Sequence, residues 1–349
     1  MKPIELSLAV IAACMLAGFA HAQKGPAGFL KREDVWFGGP EAKRVAANIL
    51  SHQSDLGGWP KNVDTTVAST GMIDSPTFDN GATVQELRFL GRMHRATRDA
   101  SYSQAFERGL DYILKAQYPT GGWPQSYPPD GKYRGHITFN DNAMVNVMQF
   151  IREVATDDRF AFVTADRRAE ALKGFDRGIQ CILKCQIKVD GKPTAWCAQH
   201  DAVDYSPRPA RAFELVSISG SESVGIVRLL MRLDHPDAAT VASVEGAVAW
   251  FESAKLKGHK LVEVPDENSS GGTDLRVVEV PDAAPLWARF YEIGSNRPFF
   301  CDRDGKVKYQ LSEIGYERRN GYSWFGNWPH KLLEKEYPRW RETKLKVRP

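Results

Sequence analysis

Two stretches of the sequence match almost position for position: "FERGLDYILKAQ", Phe106–Gln117, and "FDRGIQCILKCQ", Phe175–Gln186. The apolar residues of the first copy recur at the spacing of one face of an α-helix: Phe106, Leu110, Ile113 and Leu114. A weaker copy, "AANILSHQ", spans residues 46–53, and a degenerate one, "GAVAWFESAK", spans residues 246–255. The sequence therefore predicts a helix that recurs along the chain.

Each of the first three helices leads to a loop that carries tryptophan. The loops are "GGWPKN" at Trp59, "GGWPQSYP" at Trp123 and "TAWCAQHD" at Trp196. A second helix follows each loop, and its predicted bounds are Thr83–Arg95, Ala143–Ala155 and roughly Ser221–Leu233. The unit is thus helix, Trp loop, polar loop, helix, and alternating strand patterns are sparse.

Such α-hairpins cannot bury their apolar faces alone, so they must stack on one another. Three or four of them can form an open solenoid or close into an α/α toroid. A toroid would place every polar loop at one end, where residues of several repeats could form a site. From about Ser269 the pattern predicts a loop, a helix over Ala284–Ile293 and an irregular tail. No linker composition interrupts residues 23–349, which we interpret as one domain.

The N-terminus predicts export. Lys2 precedes the apolar run "LSLAVIAACMLAGFA", and "AHAQ" supplies an Ala-x-Ala site with cleavage after Ala22. We therefore expect a signal peptide over residues 1–22 and a secreted or periplasmic protein. "IAAC", ending at Cys14, also resembles a lipoprotein cleavage box, but the apolar run continues past it. No segment is long enough to span a membrane.

Composition is that of an ordinary soluble protein, with 42% hydrophobic and 26% charged residues in a chain of 349. The formal net charge of +3 is too small to indicate nucleic-acid binding, although it is compatible with an acidic substrate. A monomer is expected. The cysteines of the mature chain are either buried thiols or include a disulfide of Cys197 with Cys181 or Cys185, which are helical neighbours and poor partners for each other.

Two matching phrases, "TFDNGATVQELRFL" and "ITFNDNAMVNVM", put acidic and amide residues where second helices begin. Asp79 and Asn80 stand in the first phrase, and Asp141 and Asn142 in the second. They could cap the helices, although Thr83–Glu86 ("TVQE") reads as a capping box that would leave Asp79 free. They could equally supply oxygen ligands to a hard cation such as Ca²⁺.

Aromatic and basic residues allow two interpretations as well. Trp59 and Trp123 could be packed core anchors or could stack on a sugar face. Arg211, in "PRPARAFE", could form a salt bridge with Glu214, while Arg297 and Lys61 could be solvated charges. Arginine also grips a carboxylate in a fixed bidentate geometry, so this set would suit an acidic polymer.

Seven blocks, in order, resemble the pectate lyases of polysaccharide lyase family 10. They are "GGWPKN", "TFDNGAT", "GGWPQSYP", "TFNDNAM", "PARAFELVSISGSESVGI", "NRPFFCDRDGKVKY" and "GYSWFGNWP", and the resemblance extends from about residue 30 to near residue 340. It implies an α/α-toroid-like fold and Ca²⁺-dependent β-elimination of polygalacturonate (pectate).

The resemblance also implies roles for individual residues. Asp141 resembles the family's Ca²⁺ carboxylate, Asp79 a second active-site aspartate that we expect to face the substrate, and Arg211 the catalytic base. Arg297 resembles a substrate-binding arginine. Three further residues are assigned as neighbours: Asn142 at the metal, and Lys61 and Asn80 at the substrate. Trp59 and Trp123 are assigned to the substrate by the sugar-stacking interpretation. One departure is Ala212–Phe213 after Arg211.

An arginine base needs a lowered pKa, because its ordinary value lies above about 12. Ca²⁺, Arg297 or Lys61 near Arg211 would lower it, and we expect an alkaline activity optimum. Two other functions fit the same residues. In an inverting glycoside hydrolase, Asp79 and Asp141 would be acid and base about 6.5–9.5 Å apart. A non-catalytic protein could bind acidic polysaccharide with the same basic set.

Overall fold

The structure, a computed structural model, describes residues 25–71, 75–269 and 271–345. The predicted signal peptide lies outside these residues. The helices are α1 Pro40–Ser51, α2 Val84–Thr97, α3 Ala100–Lys115, α4 Ala143–Thr156, α5 Ala165–Cys185, α6 Glu222–Met231, α7 Ala238–Ser253, α8 Tyr316–Asn320 and α9 Tyr337–Trp340. Short 3₁₀ and π segments flank them. The three predicted second helices are confirmed as α2, α4 and α6, with ends within two residues.

The helices form two layers. α2, α4 and α6 pack side by side as an inner layer, and each contacts the outer helix that follows it, α3, α5 and α7 respectively. α1 covers α2. Long polar connections carry the chain from outer to inner helices at one end, and short turns return it at the other. The predicted helical toroid of stacked hairpins is therefore confirmed.

Strands are short and join loops to each other. They are β1 Ile137–Thr138, β2 Lys188–Val189, β3 Lys192–Pro193, β4 Gln199–His200, β5 Ile218–Ser219, β6 His259–Pro265, β7 Thr273–Glu279, β8 Trp287–Ala288, β9 Phe290–Tyr291, β10 Phe300–Cys301, β11 Val307–Lys308 and β12 Phe325–Gly326. All pairs are antiparallel: β1–β4, β2–β3, β5–β9, β6–β7, β8–β12 and β10–β11. Among the strands of the described residues, only the β6–β7 hairpin pairs more than two residues a side, from His259↔Glu279 to Pro265↔Thr273.

The tryptophans of the loops are core anchors. Trp59, Trp123 and Trp196 are fully buried, and the indole N–H of each donates to a carbonyl of the preceding outer helix, those of Ile49, Ile113 and Ile182, at 2.7–2.8 Å. Because rings with no exposed surface cannot stack on a sugar, the assignment of Trp59 and Trp123 to substrate binding was wrong.

The glycines before two of these tryptophans are required by close packing. Gly57 and Gly121 have φ of 99° and 94°, and a Cβ on either would lie 2.3 Å from a carbonyl oxygen of the next outer helix, that of Arg108 or Arg177. Only glycine tolerates both the backbone conformation and the approach. The "GGWP" motif is thus explained by how one repeat docks on the next.

The predicted helix over Ala284–Ile293 is wrong. This segment contains β8 and β9 instead, and the indole N–H of Trp287 donates to the carbonyl of Phe251 at the end of α7 (2.8 Å). Trp287 is therefore the fourth Trp loop, and α7 is its outer helix. A helical stretch from Leu332 to Leu345, which includes α9, follows it, and Glu336 pairs with Arg228 on α6 (2.6 Å).

The cysteines of the described chain are buried free thiols, which confirms one of the two interpretations: Cys181, Cys185, Cys197 and Cys301. Within the described residues no helix is long and apolar enough to cross a membrane.

Candidate active site

Three carboxylates meet where the inner helices begin: Asp79 before α2, Asp141 before α4 and Glu222 at the start of α6. They lie close enough to interact. Partial burial raises the pKa of Asp141 above its ordinary value, and the negative charges of Glu222 and Asp79 raise it further, while Arg289 and Arg211 oppose the rise. Charged side chains from the polar ends of three repeats therefore act on the same carboxylate, Asp141.

The two matching phrases each form a corner before an inner helix, Asp79–Gly81 before α2 and Asn140–Asn142 before α4. The Asp and Asn residues of these corners make tight turns rather than helix caps. Asn80, Asp141 and Asn142 have φ of 53°, 49° and 59°, a left-handed region that Asn and Asp tolerate better than other side chains. Neither α2 nor α4 has a side-chain cap. The capping interpretation is therefore wrong for both corners.

The predicted capping box is also wrong. Thr83 has a φ of 67°, and its hydroxyl donates to the carbonyl of Thr77 (2.9 Å) and accepts from the N–H of Trp59 (2.9 Å). Glu86 instead accepts from the hydroxyl of Thr65 (2.9 Å). Thr83 therefore ties the corner to its own Trp loop.

Asp79 is buried, and both of its carboxylate oxygens accept hydrogen bonds. Its side chain is 4% exposed. Its Oδ2 accepts from the ammonium of Lys61 and from Nε2 of Gln125 (2.6 Å), and its Oδ1 accepts from the N–H of Asn80 (3.1 Å). The expectation that Asp79 faces the substrate is wrong, because its oxygens are turned inward. Lys61, which is one-third exposed, is the part of this pair that can reach a ligand.

Asp141 is the open member of the trio, with 43% of its side chain exposed. Its Oδ2 accepts from the carboxamide of Asn140 (2.8 Å), and its Oδ1 lies 3.7 Å from Nη2 of Arg289, beyond hydrogen-bond distance. The two side chains form an ion pair without a hydrogen bond, because Nη2 of Arg289 donates to the buried carboxylate of Glu222. One oxygen of Asp141 is thus available to a ligand.

Arg211 lies close enough to Asp141 for its charge to act on that carboxylate, and it is bound to Glu214. Its Nε and Nη2 donate to the two carboxylate oxygens at 2.7 and 2.5 Å, and the phenol of Tyr322 donates to the same carboxylate (2.8 Å). The predicted salt bridge with Glu214 is confirmed. The hydrogen bonds to Glu214 raise the pKa of Arg211. The expected lowering by Ca²⁺, Arg297 or Lys61 stays a prediction. Burial pushes the pKa of Glu214 upward, but Arg211 outweighs it and the pKa falls.

Arg297 lies in an exposed cluster of its own. Its guanidinium covers the ring of Tyr309 (3.3 Å to the centroid). Hydrogen bonds from Ser295 and Tyr309 lower the pKa of Glu292, and the charge of Arg297 adds to that effect. Within the described chain, no hydrogen bond or ion pair joins it to Asp141 or Arg211. Its role in substrate binding stays a prediction, as does that of Asn80 at the first corner.

Comparisons with known proteins agree with this arrangement. A family model described as pectic acid lyase matches residues 53–333. The chain belongs to the pectic acid lyase family.

Solved structures give the same result. A family 10 polysaccharide lyase from Cellvibrio cellulosa matches with a TM-score of 0.76 and 35% identity, covering 87% of this chain and 94% of that one. A mutant of that lyase in complex with trigalacturonic acid matches with a TM-score of 0.76 and 33% identity, covering 89% and 96%. Comparison with curated protein sequences gave no match. The predicted enzyme class, a pectate lyase, is confirmed.

The lyase has residues that fit a Ca²⁺ ion at Asp141. Ca²⁺ prefers carboxylate and carbonyl oxygens and accepts an incomplete protein shell. Burial and the nearby carboxylates of Glu222 and Asp79 raise the pKa of Asp141, and the negative charge of those carboxylates favours a bound cation. In the described residues no group of three His, Cys, Asp or Glu side chains could hold a metal, so water or substrate oxygens would have to complete the shell.

Asn142, the second predicted ligand, packs against α6. A Cβ added at Gly225 would lie 1.9 Å from its Oδ1. The oxygen that a cation would need is therefore turned toward the helix backbone. The metal-binding role of Asn142 stays a prediction.

Three residues of this lyase site were missed by the sequence reasoning: Gln125, Glu222 and Arg289. A signal for two of them was present. Gln125 and Arg289 stand two residues after Trp123 and Trp287, as Lys61 does after Trp59. Treating "PLWARF" as a fourth Trp loop rather than a helix would have pointed to Arg289.

Proposed function

We propose that this pectate lyase cleaves polygalacturonate by Ca²⁺-dependent β-elimination, with Arg211 as the base. The observation that carries the proposal is the set of residues at the polar end of the inner helices, here called the mouth. It holds an available carboxylate oxygen on Asp141, a partly exposed ammonium on Lys61, and a guanidinium on Arg211 whose charge acts on Asp141. The neighbouring lyase in complex with trigalacturonic acid supports the substrate class.

A divalent cation at Asp141 would neutralise the uronate carboxylate and stabilise the negative charge that develops next to it in the transition state. Arg211 then takes the C5 proton. The electron pair left at C5 forms the C4–C5 double bond, the C4–O bond breaks, and the leaving oxygen takes a proton from water. Lys61, held by Asp79, offers a second cation to the acidic chain.

Glu214 fixes the geometry of the proposed base. It binds Nε and Nη2, which leaves Nη1 for the substrate, and a base must be held within hydrogen-bond reach of the proton that it removes. The same pairing keeps the guanidinium charged in the free protein. The neutral fraction, and with it the rate, should therefore increase with pH.

The hydrolase alternative is not supported. An inverting mechanism would need Asp79 and Asp141 on opposite sides of a water molecule in contact with the sugar. Asp79 is buried and its oxygens already accept from Lys61, Gln125 and the N–H of Asn80.

The test is the increase of ultraviolet absorbance on polygalacturonate, with and without a chelator. We expect turnover that the chelator abolishes and added Ca²⁺ restores. Arg211→Ala should lose turnover while polymer binding persists. Arg159→Ala is the matched control, because Arg159 is also paired with a carboxylate (Asp157, 2.6 Å) but lies between α4 and α5 at the far end. Chelator-resistant turnover would refute the metal, and an active Arg211→Ala variant would refute the base.

We also propose export, in keeping with a polymeric substrate. N-terminal sequencing of the protein from culture medium or periplasm should then begin at Gln23. A protein found there with residues 1–22 intact, or retained in the cytoplasm, would contradict this.

A further inference from the structure

The ring of Tyr322 is held by a second hydrophobic core, outside the one between the helix layers. It meets Phe213 and Trp324 edge to face, with 5.2 and 5.0 Å between ring centroids. It is also stacked on Phe290, with 6.2 Å between centroids. Aromatic rings attract one another at these distances, so contacts on several sides fix the position of the Tyr322 ring.

The phenol of this ring shares the carboxylate of Glu214 with Arg211. It donates to Oε1 (2.8 Å), the oxygen that also accepts from Nη2 of Arg211 (2.5 Å), while Oε2 accepts from Nε of Arg211 (2.7 Å). Arg211 and Glu214 are only three residues apart, so their ion pair by itself fixes neither of them relative to other loops. Among the described residues, the one donor to this carboxylate from outside the pair is Tyr322, 108 positions away in the chain.

Two guanidinium groups lie beside the Tyr322 ring. Those of Arg289 and Arg211 are 4.8 and 5.6 Å from its centroid, within the range of about 6 Å over which a cation is attracted to an aromatic ring. Arg289 is in turn the ion-pair partner of Asp141 at 3.7 Å. Tyr322 therefore contacts both the proposed base and the arginine that is paired with the proposed metal carboxylate.

We propose that Tyr322 is a positioning residue for the base: its phenol, acting through Glu214, fixes the place of Arg211. The inference rests on the proposed function, in which Arg211 removes the C5 proton. A base that is free to shift by a fraction of an ångström meets that proton less often in a reactive geometry. Losing the phenol should therefore slow the chemical step and leave binding of the polymer unchanged.

The test is Tyr322→Phe, which keeps the ring and removes only the phenol. With Ca²⁺ and polygalacturonate saturating, we expect kcat to fall by about tenfold, since a hydrogen bond to a charged group is lost, while KM stays within about twofold of the parent. Tyr316→Phe is the matched control. It removes a phenol that donates to the carbonyl of Thr273 in the β6–β7 hairpin (3.0 Å), and kcat should stay within about twofold.

A second pair of variants tests whether the phenol acts through Glu214. Glu214→Ala removes the shared carboxylate and should itself lower kcat. Adding Tyr322→Phe to it should change kcat by less than about twofold, because the phenol then has no carboxylate to hold. Both proteins are assayed with enzyme in excess over substrate, so that slow turnover is still measured.

Three results would overturn the proposal. They are a Tyr322→Phe variant with the parent kcat, one whose KM increases as much as kcat falls, and a further tenfold loss when Tyr322→Phe is added to Glu214→Ala. Melting curves set an assay temperature at which every variant is folded. Turnover by Arg211→Ala would refute the base itself, which separates failure of the proposed function from failure of this inference.

Discussion

Replacing Lys61 by Met should show how much the Lys61–Asp79 ion pair contributes to the free energy of unfolding. The change removes the cation from a carboxylate that is 4% exposed, leaving it only Gln125 and the N–H of Asn80. Breaking a buried ion pair at one partner costs about 3–5 kcal/mol. Lys61 itself is one-third exposed, so part of the pairing energy is already screened and we expect the lower end, about 3 kcal/mol. At about 2.1 cal/mol/K of unfolding entropy per residue, a chain of this length loses about 4 °C in Tm.

Thermal denaturation of a double-mutant cycle is the assay. Asp79→Asn should also destabilise, but Lys61→Met with Asp79→Asn should cost clearly less than the two single changes added together, because no charge is then left buried alone. Lys115→Met is the control: Lys115 is 71% exposed and 3.9 Å from Asp111, and its loss should leave Tm unchanged. Additive single and double effects would show that Lys61 does not stabilise Asp79 and would refute the reasoning.

Four further outcomes are expected. Activity should increase with pH through the alkaline range, because the hydrogen bonds of Glu214 raise the pKa of Arg211; a sharp optimum below neutrality would contradict an arginine base. The pKa of Glu214 is lowered in the folded protein, so its ionised form gives stability that is complete above its ordinary pKa of 4.5 and is lost as pH falls. The Tm deficit of Arg211→Met should therefore shrink below about pH 4, which melts between pH 3 and 7 would show. Gly225→Ala, whose Cβ would lie 1.9 Å from Oδ1 of Asn142, should cost about 1–3 kcal/mol in chemical denaturation, and an unchanged midpoint would mean that Asn142 moves freely. Trp59→Phe should lower Tm by a few degrees, because the indole hydrogen bond is lost and the smaller ring leaves a void, while KM stays constant. A raised KM with unchanged Tm would support the sugar-stacking role instead.

Local rules predicted the repeated helix, including its degenerate fourth copy at residues 246–255, but not the Trp loop that follows that copy. The match between residues 106–117 and 175–186 carries the 3.6-residue period of an outer helix, and that period depends on neighbours in the chain. The Trp287 loop has no such period, and its apolar residues pair as β8 and β9 with residues 37–73 positions away in the chain. A pairing between remote segments leaves no local signal, which is why this stretch was predicted to be a helix.

The sequence by itself determined the stacked hairpins, the enzyme family and the residue types at the mouth, because helix periodicity and motif order are written along the chain. The tertiary structure alone decided which carboxylate is open. Asp79 and Asp141 stand in nearly the same phrase, yet Asp79 is closed by Lys61 and Gln125, while Asp141 accepts from the Asn140 amide and has Arg289 3.7 Å away. Those partners come from other loops and from other repeats, so whether each aspartate is buried or exposed is determined only when the repeats pack together.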